Sequence, residues 1–281
     1  MDFTLKTEPG PVPYLVLPGF GGVQGKYGVR LVFTTRRGGV STGAYAELNL
    51  GMSAGDDPGL VAENRMLLCN TLGLDADKLS SVKQVHSDRV VVVDEIRDND
   101  SPVIEADAQV TATPVIPLFG LFADCLAVCL YDPVHGVIGL AHAGWRGTVA
   151  GIAGKTVAVM VEKFGSRPGD CHAALAPAAG PCCYEVGDEV AEAARAVFPA
   201  EWNVLRSRSQ DVGINRRTPE NQEKWTFDLW RGNARWLQEA GLKRENIIIS
   251  RFCTICRQDL FFSYRGSGGH TGRMAALMVL C

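Results

Sequence analysis

Strand-like and helix-like segments alternate along all 281 residues without a break in composition, and no internal repeat interrupts them. With 46% hydrophobic side chains, this pattern predicts a single α/β domain, residues 1–281, with a substantial buried core. Residues 1–28 read as an N-terminal extension or edge segment. The opening MDFTLKTEPGPVPYLVLPGF has an acid at position 2 and a proline-broken apolar run, so it is not expected to be a signal peptide.

Leu31–Thr35 is a strand candidate that runs into TRRGGVSTGAYAELNLG, where glycines and small polar residues call for a structured loop. From Pro58 to Leu74, apolar Val61, Met66, Leu67, Leu68 and Leu72 predict a helix with Gly73 as its stop. Val90–Val93 is a β-branched strand directly after QVHSD. Leu126–Tyr131 and Val137–Ala141 are apolar runs joined by DPVHG, the composition of a short hairpin turn. In GWRGTVAGIAGKTVAVMVEKFG, residues Val149, Ile152, Ala153, Thr156, Val157, Met160, Val161 and Phe164 recur at helical spacing and predict one helix closed by Gly165. Ala173–Ala176 and Ile247–Ser250 read as strands, Gly187–Val197 and Phe227–Gly241 as helices, and Ala275–Leu280 as a strand or short helix. Ser207 to Lys224 is polar and reads as a surface loop.

Several function classes are excluded by composition. A net charge of −3 is too balanced for nucleic acid or an anionic membrane to be the main partner. Residues 1–203 carry −9 and residues 204–281 carry +6; the excess reads first as a solvated basic face and second as an approach for an anion. No apolar stretch reaches the roughly 18 residues of a spanning helix, and the most apolar, Val115 to Tyr131, contains Asp124. Nine cysteines with one adjacent pair and one C-x-x-C form no disulfide framework, so a reducing, cytoplasmic setting is expected.

The hairpin carries the chemistry. If its loop is Asp132–His135, Tyr131 faces Gly136 and Cys125 falls opposite His142, with Cβ atoms about 4.5–5.5 Å apart. A thiolate and an imidazole at that distance can share one zinc ion. His86, in the polar break QVHSD, is the best third ligand. Three ligands of this type leave a fourth position open, the pattern of a catalytic zinc. Gly144 and Gly147 before the next helix either allow an anion to rest there beside Arg146 or serve tight packing. Asp124, next to Cys125, is either a general acid/base or a hydrogen-bonded turn residue. His135, His172 and His270 read as loop or surface residues. Cys253–Cys256, without a second C-x-x-C, reads first as simple burial and second as a structural zinc or redox pair, and Cys182–Cys183 reads as packing.

The blocks FTTRRGGVSTGAYAELNLG, KQVHSDRV, EADAQVT, FADCLAVCLYDP, GLAHAGWRGT, GPCCYEVGDEV, FDLW and FCT followed by FFSYRGSGGHTGRMAAL resemble, in this order, those of the YfiH family, also called the laccase-domain or polyphenol oxidase family. The resemblance runs from about Leu31 to Leu280. It implies a layered α-β-β-α sandwich with mixed sheets, similar to the catalytic domain of cytotoxic necrotizing toxins. It also implies zinc held by His86, Cys125 and His142. The implied activity is phosphorolysis of adenosine, inosine, guanosine and methylthioadenosine, with deamination of adenosine. The implied partners are therefore a purine nucleoside and phosphate, with no nucleic acid, membrane or obligate protein partner. Cys125, Asp124 and Arg146 are then the expected catalytic residues. Arg36 and Arg146 are the expected phosphate contacts, with Asn49 and Gln84 as polar positioning groups in the substrate site.

Two other activities compete. A copper-dependent polyphenol oxidase would use copper at the same His/Cys/His set, but a multicopper relay needs more than five histidines. A cysteine hydrolase editing peptidoglycan precursors would use Cys125 as nucleophile. A non-catalytic metal-binding scaffold is the remaining class. Three positions depart from the family's usual wording: Ser87 stands where glycine is common, Ala127 where proline is common, and Gly266 where a second arginine often follows SYR. The last puts a C-terminal anion contact in doubt.

Overall fold

Three clusters of buried apolar side chains set the layering of the chain. The computed structural model describes residues 3–7, 10–17, 20, 28–96, 102–207 and 224–281. Among them, one sheet has the order β1 (Thr4–Lys6), β2 (Tyr14–Val16), β3 (Val29–Thr34), β14 (Met274–Leu280) and β6 (Leu118–Phe122), all antiparallel. A second is mixed: β13 (Ile247–Ile249), β9 (His172–Leu175), β7 (Leu126–Asp132), β8 (Val137–Ala143), β5 (Ala108–Thr111) and β4 (Val90–Val92). A small third sheet joins β10 (Glu185–Val186), β12 (Trp225–Phe227) and β11 (Leu205–Ser207).

All seven residues of β7 and of β8 are buried, so both faces of their sheet need cover. Alternation along β7 divides the work. Leu126, Val128 and Leu130 face α3 (Ile152–Phe164) and α5 (Leu229–Glu239), where they meet Ile152, Val157, Met160 and Leu237. Ala127, Cys129 and Tyr131 face the first sheet and meet Phe33, Phe122, Met274 and Met278. On that sheet's outer side, α1 (Pro58–Leu72) packs Leu68 and Leu72 on Val32, Phe119 and Leu277. The fold is thus mixed α/β, with helices on the outer faces of two stacked sheets.

The hairpin register differs from the expected one. Tyr131 pairs with Ile138 and Asp132 with Val137, so His142 lies opposite Ala127, not Cys125. The loop is residues 133–136. Asp132 ends the strand because its carboxylate accepts the Val134 and His135 N–H groups, and Gly136, at φ 65°, takes the turn's left-handed position. The slip is two residues, one full side-chain period, so Cys125 stays on the His142 side of the sheet, just beyond the strand end.

The long helix predicted after Gly144 is two. Alpha2 (Trp145–Val149) ends with Ala150 as its C-cap, and α3 starts anew from Gly151, its N-cap at φ 77°. Trp236 of α5 causes the break: its indole N–H donates to Thr148 O at 2.7 Å, and its ring occupies the space beside Gly151. Phe227 ends β12, and α5 begins after it with Asp228 as N-cap. Ala275–Leu280 belongs to β14, between β3 and β6. Met66 and Val161, assigned to apolar faces, are 55% and 40% exposed. Helix α4 (Asp188–Val197) carries Asp188 and Glu189 in its first turn, where acids suit the helix dipole. Of the polar segment Ser207 to Lys224, residues 208–223 lie outside the described residues, while Ser207 pairs with Trp225. No helix among the described residues is long and apolar enough to cross a membrane.

Candidate metal centre

His86, Cys125 and His142 converge from three elements, their ligand atoms all within 4.8 Å of one another. His142 sits near the end of β8 and Cys125 just before β7, while His86 arrives on the segment before β4. The two imidazoles meet edge to face at 4.9 Å between ring centroids. His86 has φ 60° and Asp124 φ 81°, left-handed conformations that β-carbon-bearing residues rarely adopt and that cluster at functional sites.

Asp107, which sequence reasoning missed, organises the centre from beneath. It is 1% exposed, and its Oδ1 accepts from His142 Nδ1 at 2.9 Å and from the His86 N–H at 3.0 Å. Its Oδ2 accepts from the N–H groups of Val85 and Ser87 and from the Ser87 hydroxyl at 2.8 Å. Ser87 thus gives the carboxylate a hydroxyl donor as well as a backbone one. Burial pushes the Asp107 carboxyl up, but the bonds from His142 and Ser87 outweigh it and hold it at about 2. Binding Nδ1 in this way turns His142 Nε2 toward Cys125, the carboxylate–histidine arrangement that orients a metal ligand. Burial disfavours the His142 imidazolium, yet Cys125 and Asp107 outweigh it and raise His142 to about 9. His86 is lowered, by burial first and by His142 next.

Gly144 shows that the space between the ligands is kept clear. A β-carbon there would lie 2.9 Å from His86 Nδ1 and 3.0 Å from Cys125 Sγ, so any side chain would crowd the cradle. Two imidazoles, one thiol and that cradle fit a zinc or copper ion with one position left for substrate. Gly144 therefore serves space at the ligands, and α2 behind it is only five residues long.

The centre forms the floor of a cavity of about 640 Å³. Arg146, Arg265, Arg273, Lys83, Tyr184 and Tyr264 are among its walls. Arg146 is stacked on Trp145 and reaches Glu189 at 3.4 Å. Arg265 and Arg273, also missed, come from the basic C-terminal stretch, which is the sequence signal that marks them. Gly266 therefore does not remove cations from this side.

Two expected substrate contacts lie elsewhere. Arg36 does not line the cavity: its Nε donates to Ala46 O and its Nη1 to Gln258 O, and its guanidinium stacks on Phe262. Asn49 is fully buried, donating to Asp56 and accepting from the N–H groups of Gly51 and Arg273. Both hold the glycine-rich loop in shape, and Asn49 anchors Arg273. Gln84 does line the cavity, with both ends of its amide bonded to the Leu121 backbone. Asp124 has Oδ1 bonded to the Thr254 hydroxyl and Oδ2 to the Arg265 N–H, each at 2.6 Å, so it pins two turns beside the centre. His135 bonds Asp132, and His270 lies against Tyr45.

Residues 30–281 match the family described as multi-copper polyphenol oxidoreductase laccase. The chain is 36% identical over 251 residues to the purine nucleoside phosphorylase YlmD of Geobacillus stearothermophilus, covering 87% of this chain and 88% of that one. It is 42% identical over 249 residues to a purine nucleoside phosphorylase of Deinococcus radiodurans, with 88% of each covered. It is also 36% identical over 248 residues to adenosine deaminase RL5 of an unknown prokaryotic organism, covering 86% and 90%. The crystal structure of the Bacillus licheniformis hypothetical protein YfiH superposes with a TM-score of 0.85 at 31% identity, over 99% of both chains.

Proposed function

The chain belongs to the multi-copper polyphenol oxidoreductase laccase family, and on that premise we propose that it is a zinc-dependent purine nucleoside phosphorylase that also deaminates adenosine. The observation that carries the reading is the juxtaposition of an open two-histidine, one-cysteine centre with a cavity walled by three arginines and two tyrosines. Arg146, Arg265 and Arg273 supply charge for phosphate. Tyr184 and Tyr264 offer flat apolar faces for a purine. In phosphorolysis a phosphate oxygen bonds to the sugar C1′ as the C1′–N9 bond breaks, and the purine leaves with that electron pair and takes up a proton. The arginines hold the phosphate and Asp107 fixes the His142 ring, so the chain supplies orientation and charge in place before reaction. His86, Cys125 and His142 would hold the zinc, which would supply a Lewis acid at the cavity wall.

The family's description favours copper and phenol oxidation. Against that reading, His135, His172 and His270 of the five histidines lie outside the cavity, so a multicopper relay lacks the further histidines it needs. Cys125, His142 and Asp107 also stand in the order of nucleophile, base and orienting carboxylate, which favours a cysteine hydrolase as a second reading. One assay separates them. Inosine with phosphate is expected to give hypoxanthine and ribose 1-phosphate, with chelation abolishing the rate and zinc restoring it. No phosphate-dependent hypoxanthine would overturn the proposal, and activity indifferent to chelation but lost in Cys125→Ala would favour the nucleophile.

A further inference from the structure

Four other cysteines also converge. Cys182 and Cys183 lie in the turn before β10, and Cys253 and Cys256 in the turn after β13, yet all four Sγ atoms lie within 4.8 Å of one another. Cys256 Sγ is 3.6 Å from Cys182 Sγ and 3.3 Å from Cys183 Sγ, across more than 70 residues of sequence. Simple burial, the first reading for Cys253 and Cys256, holds for Cys253, but Cys182 and Cys256 are exposed and the two pairs form one cluster.

We propose that Cys182, Cys183, Cys253 and Cys256 bind a second metal ion, zinc by ligand chemistry, in a closed structural site. Four thiolates around zinc at about 2.3 Å stand about 3.8 Å apart along each edge of the tetrahedron. The separations of 3.3 and 3.6 Å at Cys256 lie within about half an ångström of that spacing, and all four sulfurs fall within 4.8 Å of one another. They are too short for an iron–sulfur cluster, whose several metal atoms hold the thiolates farther apart. Cys256 is near both Cys182 and Cys183, so no single disulfide pair is singled out.

The turns around the cluster are shaped for it. The Gly180 N–H donates to Cys253 Sγ at 3.2 Å, the kind of outer bond that orients a thiolate ligand. A β-carbon on Gly180 would stand 3.1 Å from the Cys253 β-carbon and 3.0 Å from the Trp230 ring, so glycine lets the turns approach. On binding, the four S–H bonds break, the protons pass to solvent, and four Zn–S bonds form. All four positions are then filled by protein, so the site binds no substrate.

The site fastens a wall of the cavity. Tyr184 follows Cys183 and carries the Arg265 guanidinium 5.2 Å above its ring. Thr254, between the two cysteines of the C-x-x-C, donates to Asp124. This inference does not depend on the proposed reaction or on the first centre.

Cobalt substitution tests it. Metal-free, fully reduced protein is titrated with Co(II), and thiolate-to-cobalt charge-transfer absorption is read per chain. With four thiolates here and one in the first centre, Cys125→Ala is expected to keep about four fifths of the wild-type absorption. Cys256→Ser is expected to lose most of it. Total loss in Cys125→Ala would overturn the proposal, as would intact-mass evidence of a disulfide among the four in protein purified with reductant and zinc. No loss in Cys125→Ala would leave this site standing and count against the first centre. Should Cys256→Ser fail to fold, the comparison of wild type with Cys125→Ala decides alone.

Discussion

The two cysteine-bearing clusters differ in what the fold does around them. At His86, Cys125 and His142 the chain accepts two left-handed residues, buries a carboxylate beneath the ligands and clears a cradle at Gly144. At Cys182, Cys183, Cys253 and Cys256 it brings two turns together at the surface, with no carboxylate among the close partners of the sulfurs described. The first group of side chains lines a cavity, and the second offers four sulfurs to one point. Three ligands plus an open position suit reaction, and four ligands suit fastening.

The largest expected effect breaks this contrast at its centre. Cys125→Ala should lower phosphorolysis by about 10³-fold or more, since a lost Lewis acid costs several kcal/mol of barrier and each 1.36 kcal/mol is tenfold. Cys256→Ser should lower the melting temperature while costing less than about tenfold in rate. The reverse ranking would exchange the roles of the two clusters. Next is Asp107→Asn, expected to weaken zinc binding at the first centre by about 10–100-fold, measured by competition with a chromophoric chelator. An unchanged affinity would remove Asp107 from the site.

A smaller effect separates the arginines. Arg273→Ala should raise the KM for phosphate about tenfold, near the 1.4 kcal/mol of one charge-assisted hydrogen bond. Arg36→Ala should leave that KM alone and reduce thermal stability. Mildest is pH. His142 raised to about 9 carries a proton below that pH, and zinc must displace it. Affinity at the first centre should therefore fall as pH drops below about 9, by at least about threefold per half unit, the share of the His142 proton alone. Calorimetry in buffers of different ionisation enthalpy would register the released proton.

The contrast also explains what the sequence could reveal. The convergence of Cys125 and His142 was legible because the two flank one hairpin, and a strand's two-residue period kept them on one side despite the shifted register. Asp107 was not, because its role depends on β5 pairing with β8, which no local pattern marks. Arg36 and Asn49 were misplaced because a glycine-rich loop does not disclose which side chains face inward. The four-cysteine cluster was hidden because its two turns meet only through tertiary packing, by way of the Ala178–Cys253 bridge. The mixed α/β class showed through the alternation of strand-like and helix-like segments and the layering through the family resemblance, while the break at Gly151 required Trp236, more than 80 residues away.

The most direct measurement is anomalous diffraction at the zinc edge from crystals of active enzyme. The expected result is a peak about 2.3 Å from Cys125 Sγ and about 2.0–2.1 Å from one nitrogen each of His86 and His142, with its fourth position open to the cavity. Fully active crystals with no peak between those three side chains would contradict the assignment of the metal centre.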